Sequence, residues 1–464
     1  MSGITHAQPA PTPVLAASSP ALASSAPTTK TGDTKDITLD NGNVKPPTAT
    51  TVTGGVLGPT PGASRPSTAG PSRRYSAAAH DVATAGALGE LALDLMRQQS
   101  ASTGNAQVNT VVSPLSLVSA LGMVHAGTSG ISAREIAVLL GTPTVGDRIY
   151  TTRLPVLLDS LAKPGAAGLP FVMANRVWLD DSVVSAIPVS YARVLTERFH
   201  ADGAVLQFSQ APQARKTINS WVSQKTANRI PELMPEGAIT PSTKFVVTNA
   251  IHFKSKWAEP FDPAKTAPLP FHLTPGGASR PVPTMVAERQ IRMGTVDNIM
   301  VLEFPFAGNE FTLMVGIPPE GHTLNAFETD LEGLDIASWN ASLKPSTCRV
   351  ELPKFSIAPS SKPLKASLQA MGMKTAFTAD ADFAPLLGKA AKGVYLDNVF
   401  QSATIIIDEA GGEAAAATGA AAMSKSFSMP APACAVNRPF IFAVMHKASG
   451  APLFVGKVAD PAQQ

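Results

Sequence analysis

The sequence predicts an α+β fold, on three observations. Helix patterns crowd the earlier part of the patterned chain and strand patterns the later part, and the two do not alternate as a doubly wound parallel sheet requires. Phe245–Phe253 is a near-continuous apolar run of β-formers, the signature of a strand buried on both faces. With 464 residues, 44% hydrophobic and only 15% charged, the chain also has the material for a sizeable core.

The first 80 residues stand apart. They hold 11 prolines, one aromatic residue (Tyr75) and nine Asp, Glu, Lys or Arg residues in an Ala/Ser/Thr/Gly background. Such a stretch cannot bury enough apolar surface to offset its ordering entropy, so residues 1–80 are expected to be disordered. They lack the basic segment and continuous apolar run of a secretory signal. Their composition reads first as a plain linker or tail; its resemblance to the leaders of bacterial type III secreted proteins is the alternative. The Ala- and Pro-rich usage of the whole chain suggests a bacterial source.

From Asp81 the pattern becomes helical, with Leu88, Leu91, Leu95 and Met96 recurring at helical spacings. Ser113-Pro114 supplies a helix start, and Leu115–Val124 is apolar nearly all round, as in a buried helix. Ser132–Leu140, closed by Gly141, is a further helix. A strand over Phe171–Leu179 and helices over Ser190–Phe199 and Ala214–Ile230 precede the central strand. Later strands are expected at Ile299–Phe304, Glu310–Ile317, Cys348–Phe355, Ala403–Ile407, Phe440–His446 and Leu453–Val458.

Catalytic and cofactor motifs are missing. The eight histidines show no paired metal spacing, no G-x-S-x-G elbow exists, and Gly450–Lys457 only superficially matches a phosphate loop. His252, within an apolar strand, reads as a hydrogen-bonded core residue. Two cysteines, Cys348 and Cys434, cannot form a disulfide framework or a four-cysteine zinc site, and leave the redox compartment open. A net charge of +3 gives no reason to expect a nucleic-acid or membrane partner. No apolar run reaches membrane-spanning length.

The unusual segment follows Asp408. Gly412, Ala414, Ala416, Thr418, Ala420 and Ala422 are small at alternate positions, whereas Glu413, Ala415, Ala417, Gly419, Ala421 and Met423 occupy the other face. Alanine propensity alone makes this a helix, and composition alone makes it a flexible linker. As a strand, it would present one face able to slide between two existing strands without collision.

Seven motifs in chain order then resemble the serpin family, from about Asp81 to Pro461. They are Asn109–Ser116, Thr248–Trp257 with Pro260-Phe261, Val282–Met285, Leu352–Phe355, Leu368–Met373 with Phe377, Glu409–Thr418, and Asn437–Phe442 with Pro452–Lys457. The resemblance implies one domain over 81–464, in place of the two or three that length alone allows. It also implies three β-sheets, about nine helices and an exposed reactive-centre loop near 409–432. The implied activity is that of a non-enzymatic, single-use protease inhibitor: the target cleaves the loop, which inserts as a strand while the protease stays esterified. No cofactor or metal is implied, and a monomer is expected.

Residue by residue, Glu409, Gly411, Gly412, Glu413, Ala414, Ala415, Ala416, Ala417 and Thr418 match the inhibitory hinge. Counting forward as the family does puts the specificity residue at Lys425, with Ser426 beyond the scissile bond; Ser424 or Phe427 is the alternative if the cut shifts. Lysine suits a trypsin-like serine protease, and papain-like cysteine proteases also accept it. Ser113, Ser116 and Asn249 match the family's sheet-opening residues, Gln401 stands where histidine is usual, and Trp257 matches the tryptophan at the top of the main sheet. Gly412 replaces the usual Ser or Thr, and Ser255 a common glycine; the former predicts slower insertion. A non-inhibitory binding or chaperone role is the competing reading. Export from the cell is expected, with a cytoplasmic location as the alternative.

Overall fold

The computed structural model describes residues 35–36, 82–103, 107–141, 154–162, 171–324, 336, 339–359, 361–412 and 431–463. These contain nine α-helices and eighteen strands. In chain order they begin with β1 (Lys35–Asp36), α1 (Val82–Thr103), β2 (Thr110–Val112), α2 (Pro114–Ala126), α3 (Gly130–Leu139) and α4 (Leu154–Ala162). Next come β3 (Phe171–Asp180), α5 (Val189–Phe199), β4 (Asp202–Leu206), α6 (Ala211–Lys225), β5 (Phe245–Phe253) and β6 (Ser255–Lys256). The hairpin β7 (Ala267–His272) and β8 (Ser279–Val296) leads to β9 (Ile299–Pro305), β10 (Phe311–Ile317), α7 (Trp339–Ser342), β11 (Lys344–Pro353), β12 (Phe355–Ile357) and β13 (Lys362–Pro363). The last are α8 (Lys365–Ala370), α9 (Ala384–Leu387), β14 (Phe400–Ile407), β15 (Gly411–Gly412), β16 (Ala433–Ala435), β17 (Phe440–His446) and β18 (Pro452–Val458).

Three sheets result. The main one runs β1–β4–β3–β5–β14–β12, with β13 also on β14. The largest runs β16–β11–β8–β9–β10–β17–β18–β2, its 18-residue β8 carrying β7, β11 and β9 along its length. The third is the short pair β15–β6. In the main sheet β5 and β14 are parallel, with Phe400 opposite Thr248, Gln401 opposite Asn249 and Thr404 opposite His252.

All nine residues of β5 are buried, as its unbroken apolar pattern requires. One face, with Val247, Ile251 and Phe253, joins the large core that includes α1 and α2. The other, with Val246 and Ala250, packs with Trp178, Ile218 and Val222 beneath α6. Helix α2 starts as expected: Pro114 needs no N–H donor at the first turn, and the Ser113 hydroxyl accepts from Ser116 N at 3.2 Å.

Two differences from the sequence reading stand out, and two further features add to it. Helix α6 stops at Lys225 rather than Ile230, because Ala227 and Asn228 adopt left-handed backbone (φ 51° and 62°). The β7–β8 hairpin was not expected. Its prolines sit opposite one another, Pro268 against Pro283 and Pro270 against Pro281, and among the described residues β7 has no second neighbour, so the N–H groups missing from its own two prolines cost the ladder little. Within the segment expected to be disordered, Lys35–Asp36 pairs antiparallel with Val205 and Ala204, which satisfies the otherwise open edge of β4. Finally, Cys348 and Cys434 form a disulfide between β11 and β16. Among the described residues no helix is long and apolar enough to cross a membrane.

Candidate functional site

The end of β14 carries the site. Asp408 breaks the strand and closes a tight turn, its Oδ1 accepting from Ala410 N (2.9 Å) and Gly411 N (3.1 Å) while its own N–H donates to Gly411 O (2.9 Å). The chain thus reverses and runs back along β6, with Gly411 opposite Lys256 and Gly412 opposite Ser255. Gly411 has φ +138°, and a Cβ there would lie 2.2 Å from Ser255 O, so only glycine fits. A Cβ on Gly412 would meet two Phe253 ring carbons at 2.9 Å. The Ser or Thr usual in the family would therefore require that ring to move, a local reason for glycine at this position.

Trp257 holds the turn from above. Its indole N–H donates to Asp408 O (2.8 Å) and its backbone N–H to Ala410 O (3.0 Å), while the ring stacks on Phe306 at 4.7 Å. Glu409 is gripped by three groups: Phe261 N donates to its carbonyl (2.8 Å), and Lys354 Nζ (2.8 Å) and the Thr266 hydroxyl (2.7 Å) reach its carboxylate. Partial burial pushes that carboxyl upward, but the hydrogen bonds from Lys354 and Thr266 outweigh it and hold the pKa below the ordinary glutamate value. The structure thus brings Glu409, Gly411, Gly412 and Trp257 together. Glu413, Ala414, Ala415, Ala416, Ala417, Thr418, Lys425 and Ser426 lie outside the described residues.

Midway down the seam between β5 and β14 sits a second, polar cluster. Gln401 and Asn249 are cross-strand neighbours; Gln401 Nε2 donates to Ser113 O (2.8 Å), and the Ser113 hydroxyl donates to Leu453 O (2.6 Å). Asn249 Nδ2 donates to Asn175 Oδ1 (2.5 Å), and Asn175 Nδ2 to Phe199 O (3.3 Å). Ser116 Oγ, Asn249 Oδ1 and Ser402 Oγ are buried with no hydrogen-bond partner among the described residues. Ser113, Ser116, Asn249 and Gln401 are therefore gathered around α2 and the seam. Asn175, Lys354, Thr266 and Phe253 were missed. Asn175 alone had a signal: Phe171–Leu179 and Phe245–Phe253 each carry an asparagine at the fifth position of an apolar run, and the two face each other.

The arrangement has a definite chemical capacity. Since β5 and β14 run parallel, a chain that leaves the end of β14 and turns back points antiparallel to both. A strand entering the seam from Gly412 would form two antiparallel ladders in place of one parallel ladder.

Comparison with known proteins agrees with this geometry. Residues 86–461 match the family model described as serpin (serine protease inhibitor). A serine protease inhibitor of Cyanea capillata is 30% identical over 77% of this chain and 93% of its own length. The leukocyte elastase inhibitor of Bos taurus is 32% identical over 76% of this chain and 93% of its own. Among solved structures, thyroxine-binding globulin in complex with thyroxine superposes with a TM-score of 0.71 at 26% identity, over 82% of this chain and 99% of that one. The two inhibitors come from animals and lend nothing to the expected bacterial source.

Proposed function

Because the chain belongs to the serpin family, we propose that it is a single-use inhibitor of trypsin-like serine endopeptidases, with Lys425 as the specificity residue. The observation that carries this reading is the parallel β5–β14 seam, at whose end the chain is turned back at Asp408 and pairs with β6 through Gly411 and Gly412.

In the proposed reaction the target's serine attacks the Lys425 carbonyl. An ester forms, the peptide bond breaks, and the Ser426 amine leaves with the proton delivered by the target's histidine. The freed upstream limb then enters the seam. From Gly412 to Lys425 it spans about 43 Å at about 3.3 Å per residue, longer than the nine-residue β5 at about 30 Å. The esterified protease would be carried to the far end of the sheet before water could release it. The small residues at 414, 416, 418, 420 and 422 suit the face that must be buried.

Export fits the buried disulfide, since such bonds persist in oxidising compartments. The test of function is a denaturing gel after mixing with trypsin. A covalent band near the sum of the two masses, absent in Lys425→Ala, is expected. Clipping at the loop with no covalent band and no rise in Tm would overturn the reading in favour of a non-inhibitory role.

A further inference from the structure

A second concavity lies apart from the seam. It is a cleft of about 720 Å³ where the turn of the β7–β8 hairpin meets the chain leaving β10 and the chain entering β17. That volume falls within the range of small-molecule sites, about 300–1,000 Å³. No residue of β5, of β14 or of the turn at Asp408 lines it.

Arg438 lines the cleft with a guanidinium that is already fixed. Its Nε donates to Pro318 O (2.9 Å) and its Nη1 to Asn437 Oδ1 (3.0 Å), and no described residue accepts from Nη2. Asn437 is itself held by the hairpin, because His272 N donates to its carbonyl (2.8 Å). Its Nδ2 donates to no described residue and adds a second unspent donor beside the guanidinium. A planar fork fixed in this way loses little rotamer freedom when it meets a carboxylate.

Glu320 lines the same cleft. Its charge acts on Arg438, yet the two do not close into an ion pair, and no described residue hydrogen-bonds to the Glu320 carboxylate. The bonds to Pro318 and Asn437 explain why: they hold the guanidinium where it is, so that a cation and an anion border one space without being joined. The two charges also select the occupant. A dianion such as phosphate would be attracted by Arg438 and repelled by Glu320, whereas a molecule carrying both a carboxylate and an ammonium is attracted at both ends. His272 and His322 line the cleft too, but no cluster of three potential metal ligands exists among the described residues, so the donor set does not suit a metal ion. Leu273, Leu324 and Pro439 make part of the remaining wall apolar.

We propose that this cleft binds a small zwitterion, a free α-amino acid with an apolar side chain, whose carboxylate meets Arg438 and Asn437 and whose ammonium meets Glu320. Such binding is independent of loop insertion and of the target protease.

The test is titration calorimetry of the full-length protein with L-leucine. Separate titrants are 4-methylpentanoate, which is the same skeleton without the amine, 3-methylbutylamine, which lacks the carboxylate, and inorganic phosphate. Leucine is expected to fill one site with a Kd of about 1 mM or tighter, and each of the other three to bind at least about tenfold more weakly. Glu320→Gln, at an exposed position, should weaken leucine about tenfold and leave 4-methylpentanoate no weaker. Arg438→Gln should weaken both about tenfold. No saturable binding of leucine to wild type would overturn the proposal, as would phosphate or 4-methylpentanoate binding as tightly as leucine. Unchanged affinity for leucine in Glu320→Gln would do the same, and that variant decides the matter even if Arg438→Gln does not fold.

Discussion

His252 offers a quantitative test of the packing around the seam. It is 3% exposed on β5, opposite Thr404 of β14, with the cations Arg229 and Lys254 nearby. Burial, reinforced by those two positive charges, lowers its pKa from 6.5 to about 4. The unfolded chain therefore takes up a proton as pH falls below 6.5, while the folded protein resists until about 4. Stability is full above pH 6.5 and is lost through that window. At about 1.4 kcal/mol per tenfold difference in proton affinity, the loss approaches about 3 kcal/mol below pH 4 and is about 2 kcal/mol at pH 5. The perturbation is His252→Gln, which keeps polarity and removes the titration. Urea unfolding of wild type and variant at pH about 7.5 and about 5 gives the difference between the two pH values for each protein. The variant's difference should be smaller by about 2 kcal/mol. Burial also lowers the pKa of His125 and His446, and their contribution cancels because both proteins carry them. Equal pH losses in the two proteins, or a ring that titrates near 6.5 by NMR, would refute the reasoning.

Three further outcomes are expected at the loop entrance. Glu409→Gln should lower stability by about 1 kcal/mol or less, because its partner Lys354 is 38% exposed and the pair is screened. Since the carboxyl is held below its ordinary 4.5, the difference between the proteins should be full above that pH and vanish in stronger acid, as thermal melts would record. Gly411→Ala, which adds a Cβ into Ser255 O at a φ that disfavours side chains, should cost about 2 kcal/mol or more and detach β15. Faster hydrogen exchange at the Trp257 amide would register the detachment, and unchanged protection would count against it. Trp257→Phe keeps a ring over Phe306 but deletes the donor to Asp408 O, for a loss of about 1 kcal/mol in a denaturant melt.

Much of this molecule is legible in its sequence, for reasons that can be named. Strands β5 and β17 are read to the residue because an unbroken run of β-formers can be satisfied only inside a sheet. Helix α2 is read because Ser113-Pro114 fixes its start chemically. The β7–β8 hairpin is not, because its prolines are tolerable only through a register in which they face each other, and register is a long-range property. The partners of Glu409 escape for the same reason: Thr266 and Lys354 lie 143 and 55 positions away in the chain (409 − 266 and 409 − 354), and no local pattern couples them. The role of Gly412 is half legible. Its smallness is visible in the sequence, but the Phe253 ring that demands it appears only once β5 and β6 are folded beside the turn.

The proposed function asks the seam to combine a stable fold with a strand arrangement that can open. Parallel pairing is somewhat weaker per residue than antiparallel pairing, and β5 meets β14 over a register of five residue pairs. Where an apolar core would be strongest, the protein places Asn249, Gln401, Ser116 and Ser402, three of which bury an oxygen without a hydrogen bond from the described residues, at about 1–3 kcal/mol for each such atom. Every one of these choices weakens the closed sheet. Beside it, Ile251 and Phe253 pack with the apolar side chains of α2 in the large core. Asn249 and Ser402 place two of the unpaired oxygens on the seam itself, and Ser116 places a third on α2; Thr312 Oγ1 and Trp339 Nε1 are likewise buried without a partner among the described residues, away from the seam. At the seam's entrance the Glu409–Lys354 pair and the Trp257 contacts hold the turn. The proposed insertion would therefore separate β5 from β14 along their five-pair parallel register rather than through the apolar core on either face.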